Sequence, residues 1–79
     1  MNLGKSPELK NREALLRGRY GGFMTVQNLM TELGVSRPVA RRIAEEFPSF
    51  NMTGKPRYDI RDVAAYIERS RTPAADGHA

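Results

Sequence analysis

The chain has no cysteine and no tryptophan. Without thiols, neither disulfides nor a thiolate metal site can hold the fold, so stability has to come from buried apolar surface. The absence also fits a cytoplasmic setting. No apolar run approaches the roughly 20 residues that span a bilayer, and residues 1–10 lack the apolar core of a secretory leader. The only histidine, His78, stands near the C-terminal end and reads as a bystander rather than a catalytic base. Tyr20, Tyr58 and Tyr66 lack the Arg-His-Arg setting that a tyrosine recombinase needs. Gly21-Gly22 is not followed by the Lys-Ser or Lys-Thr of a phosphate-binding loop. With 79 residues there is room for one domain and a modest core. The expectation is a protein that is not an enzyme and uses no cofactor or metal.

What the chain does have is an excess of positive charge, with 13 Lys and Arg against 9 Asp and Glu. That excess is concentrated in two blocks. Residues 1–20 carry five basic and two acidic side chains. Residues 34–58 carry Arg37, Arg41, Arg42, Lys55 and Arg57 against Glu45 and Glu46. Clustered cations suit a polyanionic partner.

Local signals divide the chain into short elements. Ser6-Pro7-Glu8 reads as a helix start, with serine as cap, proline at the first helical position and an acid near the positive dipole end. That helix is expected to reach about Arg17 and to be broken by Gly18 and Gly21-Gly22. Its Leu9, Leu15 and Leu16 make only a weak stripe, with no obvious place in the core. Tyr20 and Phe23 are expected to anchor the connection that follows. Thr25 caps a second helix over 25–33, where Val26, Leu29, Met30 and Leu33 share one face. Gly34 sits at the left-handed position that ends such a helix, Val35 plugs the corner, and Ser36 is placed to cap the next helix. The third helix is expected over 37–47, burying Ala40, Ile43, Ala44 and Phe47 before Pro48 stops it. Because Pro38 disfavours helical geometry at the residue before it, Arg37 is expected to flank the start of that helix.

Beyond Pro48, Phe50 and Met52 alternate with polar neighbours as in a half-buried strand. A three-residue link, Gly54-Lys55-Pro56, then leads to a second strand at Arg57-Tyr58, making a hairpin. Asp59 is placed to cap a last helix over 60–70, with Asp62 completing a short-armed capping box. Ile60, Val63, Ala64 and Ile67 would face the core, with Tyr66 beside them. The expected organisation is an N-terminal helix and Gly-rich connection (1–22), a DNA-binding domain (23–71) and a disordered tail (72–79).

Two short helices around a tight Gly-Val-Ser corner form a helix-turn-helix, and the hairpin and closing helix make it winged. The fold class expected is mainly α with a small β-hairpin. If Ala40, Ile43, Ala44 and Phe47 point inward, Arg37, Pro38, Arg41 and Arg42 point outward, with Arg37 and Arg41 one turn apart. This N-terminal half of the recognition helix is the part that enters the major groove, where an arginine fork matches guanine or clamps a phosphate. Lys55 and Arg57 on the wing would reach the neighbouring minor groove or its phosphates, and Ser36 is a further phosphate candidate. The competing reading pairs Arg41 with Glu45 and Arg42 with Glu46 as surface ion pairs.

The stretches Met24-Thr25-Val26-Gln27, Leu33-Gly34-Val35-Ser36-Arg37, Arg42-Ile43, Gly54-Lys55-Pro56-Arg57-Tyr58 and Asp62-Val63-Ala64-Ala65-Tyr66-Ile67 resemble a MerR-like winged helix. More narrowly, residues 23–70 resemble the excisionases, or recombination directionality factors, of phages and transposons. A composition rich in Ala, Arg, Gly and Asp would suit an actinobacterial phage such as a mycobacteriophage. The resemblance implies a non-catalytic, sequence-specific protein of the host bacterial cytoplasm and nucleoid. It implies several copies side by side on repeated sites in double-stranded DNA, bending it and contacting a tyrosine integrase to favour excision. By position, Arg37, Arg41 and Arg42 would read the major groove, and Lys55 and Arg57 would serve the wing. Pro38 and the extra segment 1–20 depart from the pattern, and that segment or the tail is a candidate contact between neighbouring copies. A small phage or plasmid transcriptional regulator is the alternative, and a protein-interaction module on the same scaffold is a third reading.

Overall fold

The computed structural model describes residues 6–51 and 53–70. Seven elements follow in chain order: α1 (Pro7–Tyr20), β1 (Phe23–Met24), α2 (Val26–Leu33), α3 (Arg37–Ala44), β2 (Phe50–Asn51), β3 (Pro56–Asp59) and α4 (Ile60–Arg69). The described chain is mainly helical, with a small antiparallel sheet in the order β1-β3-β2. Phe23 pairs with Asp59 and Met24 with Tyr58 on one side of β3, while Phe50 pairs with Arg57 and Asn51 with Pro56 on the other.

The core is formed by Leu16, Met24, Leu29, Ala40, Ala44, Tyr58, Ile60, Val63 and Ala64, contributed by six of the seven elements. Leu16 is fully buried and Leu9 packs at the margin, so α1 does have a place in the interior; of the three leucines, Leu15 is the exposed one, at 42%. The weak stripe on α1 hid this, because one buried leucine per three turns barely registers as periodicity. Arg12 Nε to Glu68 Oε2 (3.0 Å) also ties α1 to α4.

Helix ends follow sequence chemistry with informative exceptions. Ser6 Oγ accepts from Leu9 N–H, as expected of its cap. α1 does not stop near Arg17 but runs through Gly18 to Tyr20. An interior glycine costs roughly 1 kcal/mol, and the turn beyond it makes contact with α2. There Arg19 Nη1 and Tyr20 Oη both donate to Glu32 Oε1, at 2.7 and 2.9 Å. Gly21, at φ 85°, ends the helix. Thr25 and Asn28 cap each other's backbone N–H groups in a full capping box at the start of α2. Gly34 adopts φ 67°, ψ 38°, and its N–H and that of Val35 converge on the Met30 carbonyl.

α3 begins at Arg37 rather than Pro38, because Ser36 C=O already accepts from Ala40 N–H (2.9 Å) and encloses Arg37 in the first turn. It ends at Ala44, three residues short of the expected 47. The chain then tightens into short-range bonds from Glu46 N–H to Ile43 and from Phe47 N–H to Ala44. Ile43 and Phe47 are half-buried, leaving Ala40 and Ala44 as the buried contacts of α3.

The hairpin also departs from expectation. Pro56 is the first residue of β3, where its missing N–H is tolerated, so the link ends at Lys55 rather than at Pro56. Phe50 is 41% exposed instead of half-buried, its ring meeting Phe23 edge-on at 5.3 Å. Met52 and the tail lie outside the described residues. β1 went unexpected because two residues cannot display alternation. Ile60 N–H to Gly22 C=O (3.1 Å) adds a backbone bond beside its ladder. α4 ends at Arg69, with Ile60, Val63 and Ala64 buried and Ile67 packed against them, as expected.

A shared core makes a quantitative demand. Leu16→Ala should lower the unfolding free energy by about 2–5 kcal/mol, whereas Leu15→Ala should change it by about 0.5 kcal/mol or less. Urea unfolding followed by circular dichroism measures both.

Candidate nucleic-acid interface

α3 is held by small residues, so its long side chains project outward. Successive residues turn by about 100°, and burial of Ala40 and Ala44 therefore directs Pro38 and Arg42 most nearly away from the core. Arg37 and Arg41 lie to one side of that crest. Both line an open concavity of about 690 Å³ whose other walls include Thr25, the cap of α2, Gln27 in that helix, Lys55 of the hairpin link, and Tyr58. Arg37, Arg41 and Lys55, far apart in sequence, thus share one surface. Val26, Glu45 and Pro56 line it as well.

The hairpin separates its own two cations. Arg57 alternates with Pro56 and Tyr58 along β3 and so faces the other side of the sheet, where its register partner is Phe50. Its Nη2 donates to Thr53 Oγ1 at 3.4 Å, and its buried Nε has no hydrogen-bond partner among the described residues. Arg42 does not line the concavity but stands exposed on the crest of α3.

Ion pairing sorts the arginines into two groups. Arg12, Arg19, Arg61 and Arg69 each meet a carboxylate, on Glu68, Glu32, Asp59 and Glu46 respectively. Among the described residues, Arg37, Arg41 and Arg42 meet none, and neither do Arg17 and Arg57. The Arg42–Glu46 pair of the competing reading is not formed; Glu46 instead meets Arg69, with Nη2 3.6 Å from Oε1 and the Arg69 guanidinium 5.5 Å above the Tyr66 ring. The Arg41–Glu45 pair is not formed either. Arg37 makes one neutral bond, Nη2 to Gln27 Oε1 at 3.0 Å.

Ser36 occupies the cap position of α3, but its hydroxyl makes no capping bond. Pro38 at the second helical position removes one of the two N–H groups such a cap can use, and the other, on Val39, is left uncapped by Ser36. The exposed hydroxyl is thereby left on the surface beside Arg37. Thr25 and Gln27 were not among the sequence candidates. They lie on α2 rather than the cationic helix, and polar residues in a first helical turn look like any other cap.

At the far end of β3, Asp59 holds the strand-to-helix junction. Its carboxylate accepts from Arg61 N–H at 2.8 Å and from the Arg61 guanidinium, with Nη2 to Oδ2 at 2.6 Å. The cap therefore uses Arg61, not the reciprocal partner expected of Asp62. These Arg61 bonds hold the Asp59 carboxyl below the ordinary aspartate range, against the opposing effect of burial. Burial, reinforced by the Glu32 carboxylate, pushes the Tyr20 phenol above its usual value.

Among the described residues there is no group of three or more His, Cys, Asp or Glu placed to hold a metal ion, and no helix long and apolar enough to cross a membrane. Compared with protein-family models, curated proteins and solved structures, the chain matches none of them.

A depressed carboxylate pKa stabilises the fold fully above the unfolded value and progressively less as pH falls toward the folded one. Asp59→Asn should therefore be less stable than the parent at neutral pH and lose less stability below about pH 4. Thermal melts across an acid series read the difference.

Proposed function

We propose that this chain is a non-enzymatic, winged helix-turn-helix protein that binds double-stranded DNA through α3 and the hairpin link. The observation carrying the reading is that Arg37, Arg41 and Lys55 meet around one concavity without forming an ion pair, even though Glu45 also lines it, while Arg12 and Arg19, which tie α1 to α4 and α2, are ion-paired. α2, the Gly34-Val35-Ser36 corner and α3 supply the helix-turn-helix, and β2–β3 the wing.

Dimensions agree with this docking. A helix with side chains is about 10–12 Å across, and the major groove is about 12 Å wide. Arg37 and Arg41 stand roughly 6 Å apart along the helix axis, close to two base-pair steps. With Arg42 on the crest, α3 offers three guanidinium forks for base edges or phosphates. Ser36 and Thr25 border the same surface, where a strand's phosphates would pass. Pro38 stiffens the first turn of α3 and fixes the direction from which Arg37 leaves it. Lys55 reaches the flanking backbone from the link, and Arg57, on the other sheet face, contributes less.

Within this class we favour an excisionase-like architectural factor of the bacterial cytoplasm and nucleoid. It would bind repeated sites in several copies, bend the DNA and direct a tyrosine integrase toward excision. The support is the residue resemblance over 23–70. Gel-shift stoichiometry on directly repeated sites, together with a bending assay, separates this from a regulator binding a palindrome as a twofold dimer.

Arg41→Ala should weaken binding to a preferred duplex by about 1–3 kcal/mol. Lys55→Ala should reduce the slope of log affinity against log salt by about one unit, and Arg57→Ala by less. Fluorescence anisotropy over a salt series measures all three. No binding of the parent chain at about 50 mM salt would overturn the proposal.

A further inference from the structure

We infer that Gln27 is a positioning residue that pre-sets the Arg37 guanidinium for DNA, an inference that rests on the DNA-binding reading above. Gln27 belongs to the first turn of α2, which is fixed by the reciprocal Thr25–Asn28 cap. Arg37 opens α3, whose first turn is stiffened by Pro38. The two backbones are therefore set, and Gln27 Oε1 accepts from Arg37 Nη2 across the corner at 3.0 Å. Both side chains are exposed, and both line the concavity that holds Arg41 and Lys55.

An arginine carries five N–H donors, so one bond to Gln27 leaves the rest of the fork for a phosphate or a base edge. Gln27 is neutral, so it orders the cation without cancelling its charge, unlike the carboxylates that hold Arg12, Arg19, Arg61 and Arg69. A long side chain ordered before binding loses less freedom when the complex forms. Gln27 thus acts on affinity through Arg37, not by touching DNA itself.

The test uses the full chain and a duplex that it enriches from a random pool. Gln27→Ala, and Gln27→Met as an isostere without the acceptor, should each weaken that duplex about three- to tenfold, the range of one modest hydrogen bond. The salt slope should not move, since no charge is lost. In an Arg37→Ala background the same changes should cost less than about twofold, because coupled residues do not add. Melting temperatures, read alongside, should stay close to the parent's for these exposed positions. Unchanged affinity in the Gln27 variants, or an equal loss with and without Arg37, would overturn the inference while leaving DNA binding intact. A parent chain that binds no duplex at low salt would remove the DNA-binding reading itself, and the inference with it.

Discussion

Strand β3 is the constraint on which the rest of this structure depends. It pairs with β1 on one side and β2 on the other, buries Tyr58 in the core and hands its last residue, Asp59, to α4 as a cap. β1 leads directly into α2, and β2 follows α3 after a short turn, so both helices are tied to the same strand. Slipping β3 by one residue would turn Tyr58 outward and Arg57 inward, breaking the core and moving the hairpin link together. The relation between Lys55 and α3 is thus maintained by a backbone ladder rather than by contact between those side chains.

Charge is divided in a way that follows from burial. Carboxylates that are largely covered, such as Glu32 at the α1–α2 contact and Asp59 at the β3–α4 junction, are supplied with arginine partners that satisfy them. The aromatic groups Phe47, Tyr58 and Tyr66 meet edge-on between α3, β3 and α4, adding apolar contact where the small residues of α3 leave space. α3 itself is fastened by two alanines and the margins of Ile43 and Phe47. An element fastened this lightly on one side can carry three arginines on the other, because little of its surface is needed for the core.

The segment before β1 shows how tertiary contact revises a local reading. Gly18 and the thin leucine stripe argue for a short, loosely attached helix. Leu16 and the Glu32 contacts made by Arg19 and Tyr20 instead make α1 part of the common interior. A cooperative contact between copies, if α1 supplies one, would use its outer surface, where Leu15 is exposed.

Much was legible without coordinates because it rests on short-range chemistry. The Ser6 and Thr25 caps, the left-handed Gly34, the apolar faces of α2 and α4, and the outward direction of Arg37, Arg41 and Arg42 all follow from spacings of a few residues. Other features depend on contacts between residues distant in the chain, and no local window contains them. Burial of Leu16, the two-residue strand β1, the missing Ser36 cap bond, and the pairing of Glu46 with Arg69 emerge only on packing. So does the joining of Gln27, Arg37, Arg41 and Lys55 on one surface while Arg57 turns to the other face of the sheet. Periodicity tells which side of an element is apolar; only the pairing of strands and the closing of the core decide which outward sides meet.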